Sequence, residues 1–196
     1  MRIVCVSDTH NGLSRVRVPD GDVLPHAGDL TDWGTMAEVG AELTELGRLP
    51  HRYKALVAGN HDFFLERCPS LARAFFPKGV TYLRDSGASL GGLAVWGSPW
   101  QPDLPSWAFH ADRDRIIGRW NLIPDDLDVL VTHVPPRGVL DDGLGCEDLA
   151  AFVARRRPRV HVFGHVHGRR GRLERGGVLY VNAACPEGAD PIVVDL

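Results

Sequence analysis

Short apolar runs alternate with stretches of helical spacing along most of the chain. Apolar runs bounded by Gly, Pro or Asp are typical of buried strands, and apolar positions three and four residues apart predict helices between them. The predicted strands cover 2–7, 22–26, 53–58, 93–97, 128–132, 160–163, 177–182 and 192–195, and the predicted helices cover 35–46, 63–76 and 147–156. This alternation is typical of an α/β fold. Without a repeat or a linker, it predicts one domain over residues 1–196.

Several Pro and Gly residues modify this pattern. Pro25 lies inside the second predicted strand, and because proline lacks a backbone N–H it weakens that strand or places it at a sheet edge. Pro69 interrupts the helix predicted over 63–76. Gly47 marks the end of the helix at 35–46. The segment SPWQPDLPSWAF predicts a loop after the strand at 93–97.

The composition narrows the class of protein. The 196 residues are 44% hydrophobic and 24% charged, which is ordinary for a soluble globular protein and excludes a disordered one. The formal net charge is −3, so no global positive field is available to coat nucleic acid. The sequence contains no apolar run long enough to span a membrane.

The cysteines and the first residues indicate the compartment. The four cysteines form no C-x-x-C pair and predict reduced thiols. Cys5, Cys68 and Cys146 are expected to be buried and inert, whereas Cys185 is either buried or accessible at the edge of the presumed site. The chain starts with a strand and shows no secretory leader, so a cytoplasmic location is expected.

Polar residues collect directly after five of the apolar runs. The clusters are Asp8 with His10, Gly28-Asp29, Gly59-Asn60-His61-Asp62, Thr132-His133, and Gly164-His165-Val166-His167. In α/β sheets, the carboxyl ends of the strands are where ligands bind. Each motif by itself is a weak signal, because D-x-H and GD occur often by chance. Their combination, each after a strand, predicts one functional site.

The residue types indicate a metal site. Carboxylate, imidazole and amide oxygen together suit Mn²⁺, Fe or Zn²⁺ rather than Ca²⁺ or a thiolate-bound metal. The seven candidate ligands exceed the needs of one catalytic metal, which usually has about three protein ligands, and they suit two metals that share a bridging carboxylate. Asp29 is the natural candidate for that carboxylate. The candidate ligands are Asp8, His10, Asp29, Asn60, His133, His165 and His167.

The remaining histidines have weaker contexts. His26 lies within a predicted strand near Asp29 and is expected to be a core histidine or to support a ligand. His51, His110 and His161 are expected at the surface or in the core, with no assigned role.

The order of these motifs resembles a known family. The pattern D-x-H, G-D-x-x-D, G-N-H-D, T-H and G-H-x-H is similar to that of the calcineurin-like metallophosphoesterase superfamily, and it extends from Asp8 to His167. A closer resemblance is to the metallophosphodiesterase-domain (MPPED) group. The segments that carry it are VSDTH, PDGDVLPHAGDLT, LGRLPHRYK, AGNHD, GSPWQP, WNLIP, DVLVTHVPPRG, HVFGHVH and the late VNA.

The resemblance implies a fold and roles for the motif residues. The fold would be a two-sheet β sandwich flanked by helices (α/β/β/α), with a dinuclear centre at one sheet edge. His61 would contact the phosphate and protonate the leaving group, and Asp62 would orient His61. Asp8, His10, Asp29 and His167 would hold the first metal, and Asp29, Asn60, His133 and His165 would hold the second.

These roles predict hydrolysis of a phosphate ester by a metal-bridging hydroxide, with two metal ions (Mn²⁺ and/or Fe, or Zn²⁺) as cofactors. Small phosphodiesters, including cyclic nucleotides, are the expected substrates, and Asn60, His61, Trp100 and Trp107 are candidate substrate contacts. A flat indole face stacks on a nucleobase or packs the loop against the sheet. A phosphomonoesterase or protein phosphatase on the same fold, or a nucleotide-binding protein with a vestigial metal site, are the alternatives. No membrane or nucleic-acid partner is expected, and the oligomeric state stays open, a dimer included.

Overall fold

Two mixed β-sheets form the centre of the fold. The computed structural model describes residues 1–196 apart from the side chain of Glu187. The first sheet has the strand order β11-β1-β2-β3-β4, and the second has the order β5-β6-β7-β8-β10-β9. The strands are β1 (Arg2–Cys5), β2 (Val23–Ala27), β3 (Tyr53–Val57), β4 (Val80–Tyr82), β5 (Ser86–Leu90), β6 (Leu93–Ser98), β7 (Val129–Thr132), β8 (Val160–Phe163), β9 (Gly171–Arg175), β10 (Val178–Asn182) and β11 (Ile192–Asp195).

The central strands of each sheet run parallel. Strands β1 to β4 are parallel to one another, with β11 antiparallel at one edge. Strands β6, β7, β8 and β10 are also parallel, and β5 and β9 flank them as antiparallel edges. The carboxyl ends of the parallel strands in each sheet therefore meet at one edge of that sheet.

Two layers of apolar side chains explain why the strands are apolar along their whole length. One face of each sheet contributes to an inner cluster that includes Ile3, Val57, Val131 and Val162. The alternate residues of the same strands face outward and join the apolar sides of the helices. Because a sheet covered on both faces buries every residue of its central strands, these strands are continuous apolar runs. The expected two-sheet sandwich flanked by helices is confirmed.

Five α-helices lie among the strands. Helix α1 begins with a capping box, in which Thr35 Oγ1 accepts from the Glu38 backbone N–H and the Glu38 carboxylate accepts from the Thr35 backbone N–H. The predicted break at Pro69 is confirmed, because it starts a new helix. The helices are α1 (Met36–Arg48), α2 (Phe63–Arg67), α3 (Pro69–Ala72), α4 (Arg113–Trp120) and α5 (Glu147–Arg156), with 3-10 turns at Leu13–Arg15, Arg73–Phe75, His167–Arg169 and Pro186–Gly188.

The position of Pro25 corrects one expectation. Pro25 lies in β2, which is a buried strand inside the first sheet and not at its edge. The missing N–H has a local effect: β1 and β2 pair at Ile3–Val23 and again only at the isolated bridge Val6–His26. The Pro25 carbonyl still accepts from the Val6 N–H at 3.1 Å, so the sheet continues past the gap.

Several other expectations are also corrected. Gly47 does not end α1, which runs to Arg48. Cys68 is exposed and not buried as expected. Cys185 takes the buried one of its two expected positions, and burial raises the pKa of its thiol to about 11. The hydrophobic pattern also failed to predict α4 and the strands β4, β5 and β9, because these elements contain no long run of consecutive apolar residues. Among the described residues, every helix falls short of the length and apolar character that crossing a bilayer requires.

Candidate metal centre

The seven candidate ligands lie together at the carboxyl ends of strands from both sheets. Asp8 follows β1, Asp29 follows β2, and Asn60 follows β3 in the first sheet. His133 directly follows β7, and His165 and His167 follow β8 in the second sheet. Six of the seven, all except Asn60, fall together with His61 into three overlapping clusters, within each of which the donor atoms lie within 4.8 Å of one another: Asp8, His10 and His167; His10, Asp29 and His61; and Asp29, His133 and His165.

Asp8 organises the first group of donors. Its carboxylate is fully buried, and both of its oxygens accept from the His165 backbone N–H at 3.0 Å. The Oδ1 atom also lies 3.3 Å from Nε2 of His167. His10 completes the group, and its Nδ1 lies 3.3 Å from Oδ1 of Asp32, which orients the ring. The loop after β1 in the first sheet and the loop after β8 in the second sheet thus both contribute side chains to this first group of donors.

Asn60 organises the second group. Its amide oxygen lies 2.9 Å from both Nε2 of His133 and Nδ1 of His165. His133 donates from Nδ1 to the Ala27 carbonyl at 2.9 Å, and this bond turns Nε2 toward the centre. A histidine held through one ring nitrogen in this way presents the other nitrogen as a metal ligand.

Asp29 lies between the two groups. Its Oδ2 atom is 3.3 Å from Nε2 of His133, and 3.9 Å from Nε2 of both His10 and His61. Its Oδ1 atom accepts from the His61 backbone N–H at 2.8 Å, which fixes the carboxylate. Among the described acids, Asp29 alone belongs to two of these clusters. It lies with His10 and His61 in one, and with His133 and His165 in the other. This position is the one that a bridging carboxylate requires.

Two glycines of the motifs allow the ligand loops to approach one another. A Cβ atom on Gly59 would lie 2.2 Å from Oδ1 of Asp29, and one on Gly164 would lie 2.0 Å from Oδ2 of Asp8. Neither distance is sterically allowed.

Two of the candidate ligands have strained backbone. Asp8 and His165 have φ angles of 55° and 69°, in the left-handed region that L-residues seldom adopt. Backbone strain of this kind, which costs about 1–3 kcal/mol per residue, collects at functional sites.

The charges of the donors depend on one another. Burial raises the pKa of the Asp29 carboxyl, but the His133 and His61 imidazoles outweigh burial and hold that pKa well below its usual range. Burial lowers the pKa of His133, whereas Asp29 and Asp8 raise it, with a net value of about 9. Burial and the charge of His133 lower the pKa of His165 to about 4. The negative charges of Asp8 and Asp29 therefore favour positive charge at this centre.

The donor set fits metal ions. It combines buried carboxylates, imidazole nitrogens and one amide oxygen, which is the mixture that Mn²⁺, Fe and Zn²⁺ accept. A bound cation would replace the positive charge of protonated His133, since a histidine binds a metal only in its neutral form. The assignment of each ligand to one of two metals stays a prediction.

His61 lies in the centre, but its partner differs from the expected one. Its Nδ1 lies 2.6 Å from the backbone carbonyl of Asp32, so a backbone oxygen orients the ring. Asp62 is fully buried and accepts from the Thr31 hydroxyl at 2.7 Å, and from the backbone N–H groups of Leu30, Thr31 and Gly59. The expectation that Asp62 orients His61 is therefore wrong. Asp62 ties together the loops that carry Asp29 and Asn60.

The two tryptophans of the 98–109 loop have different positions. Trp100 is 7% exposed, its Nε1 donates to Asp85 at 2.8 Å, and it packs on Phe109. The expectation that Trp100 contacts substrate is wrong, because it belongs to the core. Trp107 is 37% exposed, and its ring centroid lies 4.4 Å from that of His61. Only Trp107 is placed beside the candidate centre.

A cavity of about 400 Å³ opens onto these side chains. The described residues that line it are His10, Asp29, Asp32, Asn60, His61, His165 and His167. Asp32 was given no role from the sequence, although it is the second acid of the G-D-x-x-D motif and could have been recognised from it.

The buried His26 supports the site as expected. Its Nε2 is 3.0 Å from Thr9 Oγ1, and its Nδ1 accepts from the Gly28 N–H at 3.3 Å.

A family model and a curated relative identify the family. A family model described as calcineurin-like phosphoesterase matches residues 1–169. The chain is similar to metallophosphoesterase domain-containing protein 1 of Homo sapiens, with 39% identity over 230 residues that cover 100% of this chain and 71% of that protein. UPF0046 protein K07C11.7 of Caenorhabditis elegans is 40% identical over 207 residues, which cover 96% of this chain and 71% of that protein.

Solved structures share the fold at low sequence identity. One crystal structure superposes with a TM-score of 0.75 at 14% identity, covering 93% of this chain and 90% of that chain. The crystal structure of TT1561 of Thermus thermophilus superposes with a TM-score of 0.66 at 15% identity, covering 93% of this chain and 88% of that chain. These likenesses carry the fold alone.

Proposed function

The chain belongs to the calcineurin-like phosphoesterase family, and on that premise we propose that it hydrolyses small phosphodiesters at a centre of two metal ions. Cyclic nucleotides are the substrate class that we favour. The observation that supports the proposal is the meeting of seven candidate metal ligands from both sheets beside one histidine, His61, that has an orienting backbone partner.

The residues divide between the two metals around Asp29. Asp8, His10, Asp29 and His167 would hold one ion, and Asp29, Asn60, His133 and His165 would hold the other. When bound, such ions supply Lewis acidity toward the phosphoryl oxygens and lower the pKa of water. Mn²⁺, Fe and Zn²⁺ are the ions that we propose, on the chemistry of the donor atoms.

His61 is proposed to hold the proton that the leaving group needs. The Asp32 carbonyl accepts from Nδ1, so Nε2 points toward Asp29 and the cavity. Hydrolysis forms a bond from the oxygen of water to phosphorus and breaks the bond from phosphorus to the leaving oxygen. The leaving oxygen takes a proton from Nε2 of His61, and the proton released by water returns to solvent. General acid catalysis of this kind contributes about 10²–10⁴ in rate.

The charge of the cavity favours a diester over a monoester. The described side chains that line it include two carboxylates, Asp29 and Asp32, and no lysine or arginine. The two arginines that follow the last motif are engaged elsewhere: Arg169 contacts Asp142, and Arg170 donates to the Asp190 carbonyl. A diester carries one negative charge and a monoester nearly two, and beyond the charge that the proposed metals would supply the cavity offers no arginine or lysine for the second charge of a monoester.

The test compares ester classes on the protein purified with Mn²⁺. Turnover of bis(p-nitrophenyl) phosphate, p-nitrophenyl phosphate, and 2′,3′- and 3′,5′-cyclic nucleotides would be measured under the same conditions. We expect at least one diester to exceed the monoester in kcat/KM. If the monoester is hydrolysed about tenfold faster than every diester, which is about 1.4 kcal/mol in transition-state binding, phosphomonoester hydrolysis replaces this proposal.

A further inference from the structure

A row of aromatic rings leads from the candidate metal ligands to the protein surface. The centroids of His167 and His10 are 5.3 Å apart, and those of His10 and His61 are 4.7 Å apart. The row continues from His61 to Trp107 at 4.4 Å and from Trp107 to Phe63 at 6.1 Å, where the two rings stack at an interplanar angle of 26°. The second group of ligands, around His133 and His165, lies outside this row. The site is thus asymmetric, with aromatic surface on the His61 side.

The loop that carries Trp107 is held in place from within. The side chain of Gln101 is buried, and its Oε1 accepts from the backbone N–H groups of Asp103 and Leu104. Its Nε2 donates to the Leu104 carbonyl at 3.1 Å. The Ala108 N–H donates to the Asn60 carbonyl at 3.0 Å, which joins this loop to the loop that carries a candidate metal ligand. Trp107 is therefore presented beside the centre by backbone that is already ordered.

Trp100 shows the contacts that a tryptophan of this loop makes when its role is structural. It is buried, its Nε1 donates to Asp85, and the Arg119 guanidinium lies 4.2 Å from the centre of its ring. Trp107 is more than a third exposed although it contacts His61 and Phe63. Exposed apolar surface on a fixed loop next to a polar site is typical of a ligand contact.

We propose that Trp107, extended by Phe63, is the specificity-determining subsite for a flat aromatic ring attached to the leaving alcohol. This inference rests on the proposed function, in which His61 protonates the leaving oxygen. A proton donor must lie within hydrogen-bond reach of the atom it protonates, so the leaving group lies on the His61 side of the phosphorus. The next surface outward from His61 is the indole of Trp107.

The chemistry of the subsite specifies the ring that it accepts. An indole face stacks on any nucleobase or aryl ring without a requirement for sequence-specific hydrogen bonds. Beyond the indole, the Arg67 guanidinium lies 4.5 Å from the centre of the Phe63 ring and places a positive charge at the outer end. Nucleobases and aryl groups with electron-rich edges therefore fit, whereas aliphatic alcohols leave the indole without a partner.

The experiment compares two diesters that differ only in the aromatic ring: adenosine 2′,3′-cyclic phosphate and the methyl riboside 2′,3′-cyclic phosphate, which lacks the base. We expect the wild type to prefer the nucleotide at least about fivefold in kcat/KM. Trp107→Ala and Trp107→Leu should reduce the ratio to near one, and Trp107→Phe should keep most of it. Trp96→Leu, at a partly exposed tryptophan of β6 that lines a different cavity, is the matched control for Trp107→Leu and should leave the ratio unchanged.

The outcomes separate the subsite from a supporting role. If Trp107→Ala lowers turnover of both diesters equally, Trp107 only positions His61 and the proposal is overturned. A wild type that shows no preference between the two diesters overturns it as well.

A second experiment does not depend on turnover. Calorimetry with Mn²⁺ present compares the binding of adenosine 5′-monophosphate and ribose 5-phosphate. We expect the nucleotide to bind at least about fivefold more tightly, and Trp107→Ala to abolish the difference.

Failure of the proposed function has a different signature. In that case neither diester is hydrolysed by the wild type, whereas the calorimetric comparison still reports on the indole. Equal affinity for the two monophosphates would then overturn the subsite independently.

Discussion

The Nδ1 atom of His61 lies 2.6 Å from the backbone carbonyl oxygen of Asp32, a residue at the far end of the loop that begins with Asp29. This contact fixes the ring through the main chain, so no side-chain substitution at position 32 removes it. The opposite nitrogen, Nε2, lies 3.9 Å from the Asp29 carboxylate, the same distance as Nε2 of His10, so only metal content and turnover of a His61 variant distinguish a proton donor from a ligand.

His61→Ala is expected to retain both metals and to lose about 10²–10⁴ in kcat, because it removes the proposed proton donor and none of the seven ligands. Elemental analysis and turnover of bis(p-nitrophenyl) phosphate on the same preparation check this. A metal content that falls in parallel with activity would mean that His61 is a ligand.

Asp29→Ala is expected to lose both metals, since its carboxylate lies between the two donor groups. Metal content per chain, measured after dialysis, is the readout. Asp32→Asn is the matched control: it changes an acid of the same cavity but keeps an oxygen next to His10, and it should keep its metals. Two metals per chain in Asp29→Ala would refute the bridging role.

Gly164→Ala is expected to weaken metal binding and to lower the melting temperature, because its Cβ would lie 2.0 Å from Asp8 and 2.1 Å from Ser7 Oγ. Gly118→Ala, at an open position of α4, should instead be neutral or stabilise the protein by about 0.4–1 kcal/mol. Thermal unfolding and metal titration of both variants check the pair. Equal behaviour of the two would show that the close approach at Gly164 is unimportant.

Asp62→Ala is expected to lower the free energy of unfolding of the metal-free protein by about 1–3 kcal/mol or more, because buried N–H groups of Thr31 and Gly59 lose their acceptor. Urea unfolding measures it, with the exposed Asp126→Ala as the control. Stability equal to that of the control would contradict the anchoring role of Asp62.

His161 predicts a pH dependence of stability away from the ligands. It is fully buried, its Nε2 is 2.9 Å from Thr132 Oγ1, and its Nδ1 has no hydrogen-bond partner among the described residues. Burial lowers the pKa of His161 from 6.5 to about 3. Between these values the unfolded chain binds a proton that the folded protein does not, so the free energy of unfolding falls as the pH falls, by at most about 1.4 kcal/mol per pH unit.

His161→Phe should remove this contribution. Urea unfolding at pH 7, 6 and 5 with the metals chelated should show a shallower pH dependence for the variant than for the wild type. Identical slopes would mean that the pKa of His161 is the same in the folded and unfolded chain.

Most of the candidate site was predictable because its residues stand directly after apolar runs. A parallel strand brings the residue that follows it to the sheet edge whatever the packing elsewhere, and the residues that meet there are Asp8, Asp29, Asn60, His133 and His165. The partners of these residues were not predictable. Asp62 and Asp32 are both near His61 in sequence or motif, and only the path of the loop places the Asp32 carbonyl, and not the Asp62 carboxylate, against Nδ1.

The sequence by itself determined the alternation of strands and helices, the order of the motifs and the chemistry of the donor atoms, because these follow from local residue type and spacing. Only the tertiary structure decided which elements pair. Strands β5 and β9 form because β6 and β10 offer unpaired edges, and β2 tolerates Pro25 because its neighbours hold it on both sides. The tertiary structure also decided that Trp107 lies at the site and Trp100 in the core. The two tryptophans occur in the same Pro-rich segment and cannot be told apart by sequence pattern, and they differ only in the side chains that pack around them.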